Sequence, residues 1–274
     1  MTLRTILITG ASSGIGRGLA LSLARHDTIL HLGGRDRGRL DATVEACRRL
    51  GADARPHVLD VTDRAGMERW IREVGADRLD MVFASAGITG GAHARDDEGA
   101  AFETAGQIRR IIAVDLDGAL NTILPALDIM KGQDRDGQGR RGQICAISSV
   151  AGLVSYPGTA SYSAAKAALD RFMVATGAYA GKAGIHLTSV CCAFVDTPMV
   201  ARNRFPMPGL VSVNKAVRII LRGVALRKRR VIFPRWLVMG SRFMDMLPVG
   251  VAEAYYLRQP TGKPGSLPPV EEKG

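Results

Sequence analysis

Tyr162 and Lys166 stand four residues apart, the spacing that places two side chains one above the other on a helix face. A phenol can give up or take a proton, yet its ordinary pKa of about 10 makes it a weak base at neutral pH. Lowering that value by ~3 units takes about 4 kcal/mol of differential stabilisation. A lysine ammonium one turn away is a physical source of it. Ser149 lies thirteen residues before Tyr162, just after the apolar run 143–147. A hydroxyl at a strand end can hydrogen-bond a reacting oxygen and orient it. Each residue alone has a plainer reading: an aromatic ring packed at a helix start, a serine in a turn. In this order and spacing they describe proton transfer to or from a carbonyl or alcohol oxygen.

A second constellation sits near the N-terminus. Thr9-Gly10-Ala11-Ser12-Ser13-Gly14-Ile15-Gly16 joins the apolar run 5–8 to a helix-like stretch at 15–25. Glycines there permit a tight turn and let a pyrophosphate approach the backbone, while the helix start offers unpaired N–H groups and a favourable dipole. Ordinary strand–helix turns also carry glycines, so the weight of this one comes from its place after the first strand.

Both constellations need a scaffold that gathers strand ends and helix starts. Apolar runs at 5–8, 28–32, 54–59, 81–84, 143–147, 186–191 and 231–233 alternate with helix-like stretches at 15–25, 39–50, 63–74, 101–130, 161–179 and 213–226. Continuous apolar strands separated by helices predict a parallel sheet covered on both faces. The fold class is α/β: a Rossmann-type, doubly wound parallel sheet in three layers. One domain is expected over 1–258, with an exposed polar loop at 131–142 and a substrate segment near 197–226. The Pro- and Gly-rich stretch 259–274 is expected to be a mobile tail.

The glycine turn matches Thr-Gly-x-x-x-Gly-x-Gly in full, and with Ser149, Tyr162 and Lys166 following in order the chain resembles the short-chain dehydrogenase/reductase family. The resemblance implies a nicotinamide-dependent oxidoreductase that interconverts a ketone and a secondary alcohol, Tyr162 serving as general acid and base. Ser149 would hold the substrate oxygen, and Lys166 would also bind the nicotinamide ribose hydroxyls. Cofactor contacts implied in the same way are Gly10, Ser12, Ser13, Gly14, Ile15 and Gly16 in the turn, then Asp60 and Val61 beside the adenine ring. Ser85, Ala86 and Gly87 stand in the family's Asn-Asn-Ala-Gly stretch, with Ser85 a departure. Val195 and Thr197 follow the sixth strand, Thr197 at the nicotinamide carboxamide. The family associates through its central helices, which implies a homodimer or homotetramer.

Cofactor choice turns on Leu32-Gly33-Gly34-Arg35-Asp36. A carboxylate at the end of the second strand would bind the ribose diol of NAD; Gly34 stands there instead, followed by Arg35. A guanidinium recognises phosphate through charge-assisted hydrogen bonds, so NADP(H) is favoured, with NAD(H) left open by Asp36. Two further departures bear on catalysis. Asp115, in Val114-Asp115-Leu116-Asp117-Gly118, stands where the family has a catalytic Asn; an ionised Asp would support Lys166 as a cation while opposing a tyrosinate. Cys192-Ala193 replaces the family's Pro-Gly, removing two loop-shaping residues.

Composition bounds the rest. With 46% apolar and 23% charged residues the chain can build a sizeable core, and no apolar run is long enough to span a bilayer. Cys47, Cys145, Cys191 and Cys192 lack metal-ligand spacing and read as buried reduced thiols, so no metal is expected and the cytoplasm is the expected setting. The net charge of +11 comes from dispersed basic residues with no nucleic-acid module, which favours a solvated basic surface over nucleic-acid binding. Met199, Phe205, Met207, Leu210 and 150–156 are expected to shape a hydrophobic substrate pocket. For the apolar stretch 233–239 beside the basic residues 227–230, a core-covering role is favoured over contact with an anionic membrane. The alternative to an active carbonyl reductase is a cofactor-binding regulatory or scaffold protein with weakened catalysis.

Overall fold

The computed structural model describes residues 4–89, 94–95, 101–154, 159–201 and 207–257. Seven strands form one parallel sheet: β1 (Arg4–Thr9), β2 (Thr28–Gly34), β3 (Asp53–Val58), β4 (Met81–Ala84), β5 (Gly142–Ser149), β6 (Ile185–Cys192) and β7 (Arg230–Phe233). Their order is β3-β2-β1-β4-β5-β6-β7. The winding direction therefore reverses between β1 and β4, and the crevice beyond the carboxyl ends of those two strands is where such sheets bind ligands.

Side-chain alternation explains why the strands read as unbroken apolar runs. Along β1, Ile6 and Ile8 enter one core while Leu7 enters the other. Along β5, Cys145 and Ile147 face the first and Ile144 and Ala146 the second. Because helices cover both faces, neither set can be polar. On the first face lie α1 (Gly14–Leu23), α2 (Arg37–Arg49) and α7 (Val213–Ala225), through Leu19, Leu40, Val44 and Ile220. On the second lie α3 (Arg64–Val74), α5 (Gly118–Gly132) and α6 (Ala160–Lys182), through Met67, Ile71, Ile123, Met130, Leu169 and Met173. All four cysteines are buried and unpaired.

The continuous helix expected over 101–130 is not what forms. Residues 101–102 pair antiparallel with 94–95, and α4 (Ala105–Ile112) begins only after Thr104. Thr104 and Gln107 build a reciprocal capping box there, which fixes the start. Residues Ala113–Asp117 are wound as a π turn before α5 resumes the α-helical path. The stretch after Phe233, expected to cover the core, does so through one of its faces. It forms α8 (Arg235–Asp245), followed by α9 (Val249–Leu257). Val238 covers the core beside Val150, Leu153 and Cys191, whereas Trp236, Met239 and Phe243 face solvent. Among the described residues no helix is long and apolar enough to cross a membrane. The tail at 259–274 lies outside the described residues.

One part of the sheet carries a pH dependence of its own. His31 Nδ1 on β2 and His57 Nε2 on β3 are 3.2 Å apart, and the His57 ring lies 4.8 Å from that of Trp70. Burial, aided by the neighbouring His57 and Arg55, holds His31 down to about 4. The unfolded chain takes up this proton near pH 6.5 and the folded chain only near 4, so stability is full above 6.5 and falls as pH drops through that window. Between pH 7 and 5 wild type should lose on the order of 2 kcal/mol more than His31→Val in urea unfolding. Equal losses in the two proteins would rule His31 out as the source.

Candidate active site

The glycine turn ties β1 to α1. Gly10 and Gly14 adopt φ of +69° and +52°, left-handed conformations that favour glycine. A Cβ on Gly10 would lie 2.8 Å from the Ala86 backbone, and one on Gly16 would lie 2.3 Å from the Gly10 carbonyl oxygen. The Thr9 hydroxyl accepts hydrogen bonds from the N–H groups of Ser85 (3.2 Å) and Ala86 (3.4 Å), which locks the end of β4 to that of β1. Ser13 is the N-cap of α1, yet its side chain makes no capping hydrogen bond. The N–H groups and dipole of that first turn can therefore receive an anion.

The far end of the crevice is lined by β2 and the segment after β3. Gly34 lies against Ser12, where a Cβ would come within 3.3 Å. Arg35 Nη1 is 3.4 Å from Asp60 Oδ2, with both side chains substantially exposed. Asp60 Oδ1 accepts bonds from the Thr62 N–H and hydroxyl, each at 2.9 Å. Val61 is fixed by a bond from Asn121 Nδ2 to its carbonyl, 2.9 Å.

Ser149 ends β5 and is buried; its Oγ accepts the Ala151 N–H at 3.1 Å and donates to the Cys192 carbonyl at 3.4 Å. It lies near the Tyr162 phenol and acts to lower its pKa. Tyr162 lies in the first turn of α6, with Lys166 Nζ 5.6 Å from its ring centroid. Lys166 is buried, donates to the Ile147 carbonyl at 3.2 Å and lies 3.5 Å from Asp115 Oδ1. The π turn presents Asp115 to this group, where Oδ1 also accepts the Ile88 N–H at 2.9 Å. Asp115 Oδ2 is buried and has no partner among the described residues. Gly87 makes room for the pair: a Cβ there would meet Asp115 Oδ1 at 2.7 Å and Lys166 Nζ at 3.3 Å.

Electrostatics here work against ionisation. Burial pushes the Asp115 carboxyl up, opposed by Lys166 and the Ile88 N–H. Burial, Asp115 and Cys192 push the Tyr162 phenol up, opposed by Ser149. Burial likewise raises the Cys192 thiol to about 11, which fits a packed side chain.

The structure thus brings Ser149, Tyr162, Lys166 and Asp115 into one group, and the turn residues together with Ser85, Ala86 and Gly87 into another. Val195 is buried in a short parallel ladder with Val211, and Thr197 reaches over the turn to lie against Gly14. Met199 and Leu210 are exposed. Phe205 and Tyr156 lie outside the described residues. One positioning residue was missed. Glu103 accepts the Ser161 N–H and hydroxyl, both at 2.8 Å, and so anchors the start of α6 one residue before Tyr162. The signal was Thr104-x-x-Gln107, which marks the true start of α4 and leaves Glu103 outside it.

The family pattern described as short chain dehydrogenase matches residues 4–206, the span from β1 to beyond Thr197. The chain is a short-chain dehydrogenase. A Myxococcus xanthus relative, described as an uncharacterized oxidoreductase, is 34% identical to this short-chain dehydrogenase over 250 residues, covering 90% of this chain and 94% of its own. The 3-oxoacyl-(acyl-carrier-protein) reductase of Thermotoga maritima is 28% identical over 204 residues, covering 73% of this chain and 77% of its own. Among solved structures, an actinorhodin polyketide ketoreductase variant with NADPH shares the fold at a TM-score of 0.71 and 21% identity, over 85% of this chain and 97% of that one. As a member of the family the protein is an oxidoreductase.

Proposed function

We propose that this short-chain dehydrogenase interconverts a hydrophobic ketone and its secondary alcohol with NADP(H), Tyr162 moving the proton. The observation that carries the reading is Lys166 Nζ 5.6 Å from the Tyr162 ring centroid, with buried Ser149 at the end of β5 acting on the same phenol, beside the glycine turn. The turn fits a dinucleotide: Gly10 and Gly16 let it close tightly on the Ala86 backbone and on its own carbonyl, while the Ser13 side chain leaves the start of α1 uncapped. When bound, the nicotinamide supplies or accepts the hydride. Ser149 donates a hydrogen bond to the carbonyl oxygen and fixes its distance from the phenol. Tyr162 delivers its proton to the alkoxide in reduction and removes it in oxidation. Lys166 sets the field at the phenol and is held in place by the Ile147 carbonyl and Asp115. A cytoplasmic setting would keep the four buried thiols reduced. Exposed Ile108 on α4 and Leu124 on α5 support a homodimer or homotetramer built on the central helices.

Arg35 supports the preference for NADP(H). Its exposed ion pair with Asp60 contributes little, which leaves the guanidinium free to turn to a 2′-phosphate. Initial rates on a ketone panel should favour NADPH over NADH. Arg35→Ala should lose about tenfold to a hundredfold of kcat/KM with NADPH and little with NADH. Equal losses with the two cofactors would refute this role for Arg35.

Asp115 sets the pH profile. Reduction needs Tyr162 protonated, so activity holds below the phenol's pKa and is lost above it. Asp115 and burial raise that pKa, so the alkaline limb of wild-type reduction should lie high. Asp115→Asn should move it down by about one pH unit; superimposable profiles would exclude the effect. The same opposing charge favours a second reading, a cofactor-binding scaffold with weak catalysis. Rapid reduction of any ketone, lost in Tyr162→Phe, excludes it.

A further inference from the structure

Tyr162 lies in the part of α6 that the helix's own hydrogen bonds hold least. A helix leaves the N–H groups of its first turn without intrahelical partners. In α6 the bond from the Ser163 N–H to the Thr159 carbonyl, 2.9 Å, comes only after Tyr162. Thr159 is the N-cap, and its side chain makes no capping bond. The cap is supplied from a distant segment. Glu103 Oε2 accepts the Ser161 N–H and Oε1 accepts the Ser161 hydroxyl, each at 2.8 Å, so both carboxylate oxygens are committed. Ser161 is buried, and a carboxylate suits the positive end of the helix dipole. Glu103 is itself held on both sides: Phe102 before it pairs with Ala94, and Thr104 after it caps α4.

The same element fastens α6 a second time. α4 leads into the π turn, whose Asp115 lies 3.5 Å from Lys166. Two carboxylates, one before α4 and one after it, thus grip Ser161 and Lys166, the residues that bracket Tyr162. We propose that Glu103 is a positioning residue for proton transfer, pinning the first turn of α6 so that the Tyr162 phenol keeps its place relative to Ser149 and Lys166. The inference rests on the proposed role of Tyr162 in moving the proton. Ser149 is fixed on β5 by the Ala151 N–H, and Lys166 by the Ile147 carbonyl and Asp115. Release of Ser161 would therefore move the phenol against its two partners instead of moving all three together. Misplacing a reacting group by about 1 Å can cost on the order of a hundredfold in rate.

Reduction of a water-soluble ketone by the full-length protein with NADPH tests the proposal. Glu103→Ala should lower kcat about thirtyfold, while KM and NADPH affinity stay within about twofold of wild type. Glu103→Gln keeps one acceptor oxygen and should recover to within about fivefold of wild type. The decisive comparison uses Tyr162→Phe. Once the phenolic oxygen is gone its placement has no effect, so Glu103→Ala/Tyr162→Phe should be no slower than Tyr162→Phe alone. General damage to the fold would instead multiply the two losses. Should Glu103→Ala fail to fold, Ser161→Ala, which removes only the hydroxyl tie, carries the same comparison with and without Tyr162→Phe. Losses that multiply, a KM that rises as kcat falls, or a Glu103→Ala kcat within about twofold of wild type overturns the proposal while leaving the role of Tyr162 intact. A Tyr162→Phe protein as fast as wild type overturns the reading of Tyr162, and this inference with it.

Discussion

Tyr162→Phe should lower kcat by about a thousandfold, within the 10²- to 10⁴-fold range of general acid–base catalysis, while NADPH binding stays within about threefold of wild type. The substitution removes one oxygen and leaves the ring that packs in the first turn of α6 below Lys166. Ser149 keeps its bonds to the Ala151 N–H and the Cys192 carbonyl, so the local backbone has no reason to move. The start of α1, where the proposed cofactor's phosphates would sit, lies on other elements and is untouched. On the proposed mechanism, what disappears is the proton that the alkoxide must receive. Single-turnover rates and a fluorescence titration with NADPH separate the two quantities. A variant that retains a tenth of wild-type kcat would remove Tyr162 from the proton path, and one that fails to bind NADPH would show a structural defect instead.

Asp170→Ala should cost about 3 kcal/mol of stability, which corresponds to a fall in Tm of about 6 to 10 °C. Asp170 is fully buried on α6, one turn beyond Lys166. Its Oδ1 accepts bonds from Ser189 Oγ at 2.7 Å and Arg230 Nε at 3.0 Å, and its Oδ2 lies 2.6 Å from Arg230 Nη2. The pair thereby fastens α6 to the edge strand β7 across β6. Deleting the carboxylate strands a guanidinium whose side chain is only 21% exposed, and an unpaired buried charge is the expensive outcome. Asp170→Leu/Arg230→Met, which replaces both partners by apolar groups, should recover most of the loss. Urea unfolding of the single and double variants decides the matter; a loss under 1 kcal/mol in Asp170→Ala would mean the pair contributes little.

The parallel sheet, its seven strands and the grouping of Ser149 with Tyr162 and Lys166 could be read in the sequence because each rests on local patterning. Apolar runs mark strands covered on both faces, and the positions that precede and begin α6 are close in the chain. Other features depend on distant partners. Glu103 meets Ser161 across 58 residues, and Asp170 meets Arg230 across 60; neither spacing is a pattern. The π turn has no pattern of its own, because Ala113–Asp117 reads as ordinary helix and only the contacts of Asp115 show where the winding changes. The exposed stripe of α8 was hidden for another reason. Apolar residues at helical spacing look the same in sequence whether they face a core or the outside, and only the seating of Val238 tells which side is which.

Five residues wound where four would suffice make chain length between Ile112 and Gly118 as consequential as residue identity. Deleting one residue there would let α4 and α5 fuse into an unbroken α-helix, a locally favourable product. Because the turn absorbs its extra residue, the two halves would keep their phase, and Ile111 and Ile123 would keep their buried seats. The change would fall on the turn itself, re-aiming Asp115 away from Lys166 and the Ile88 N–H. The extra residue is in effect a shim under one side chain: taking it out leaves the beam straight and the carboxylate pointed elsewhere.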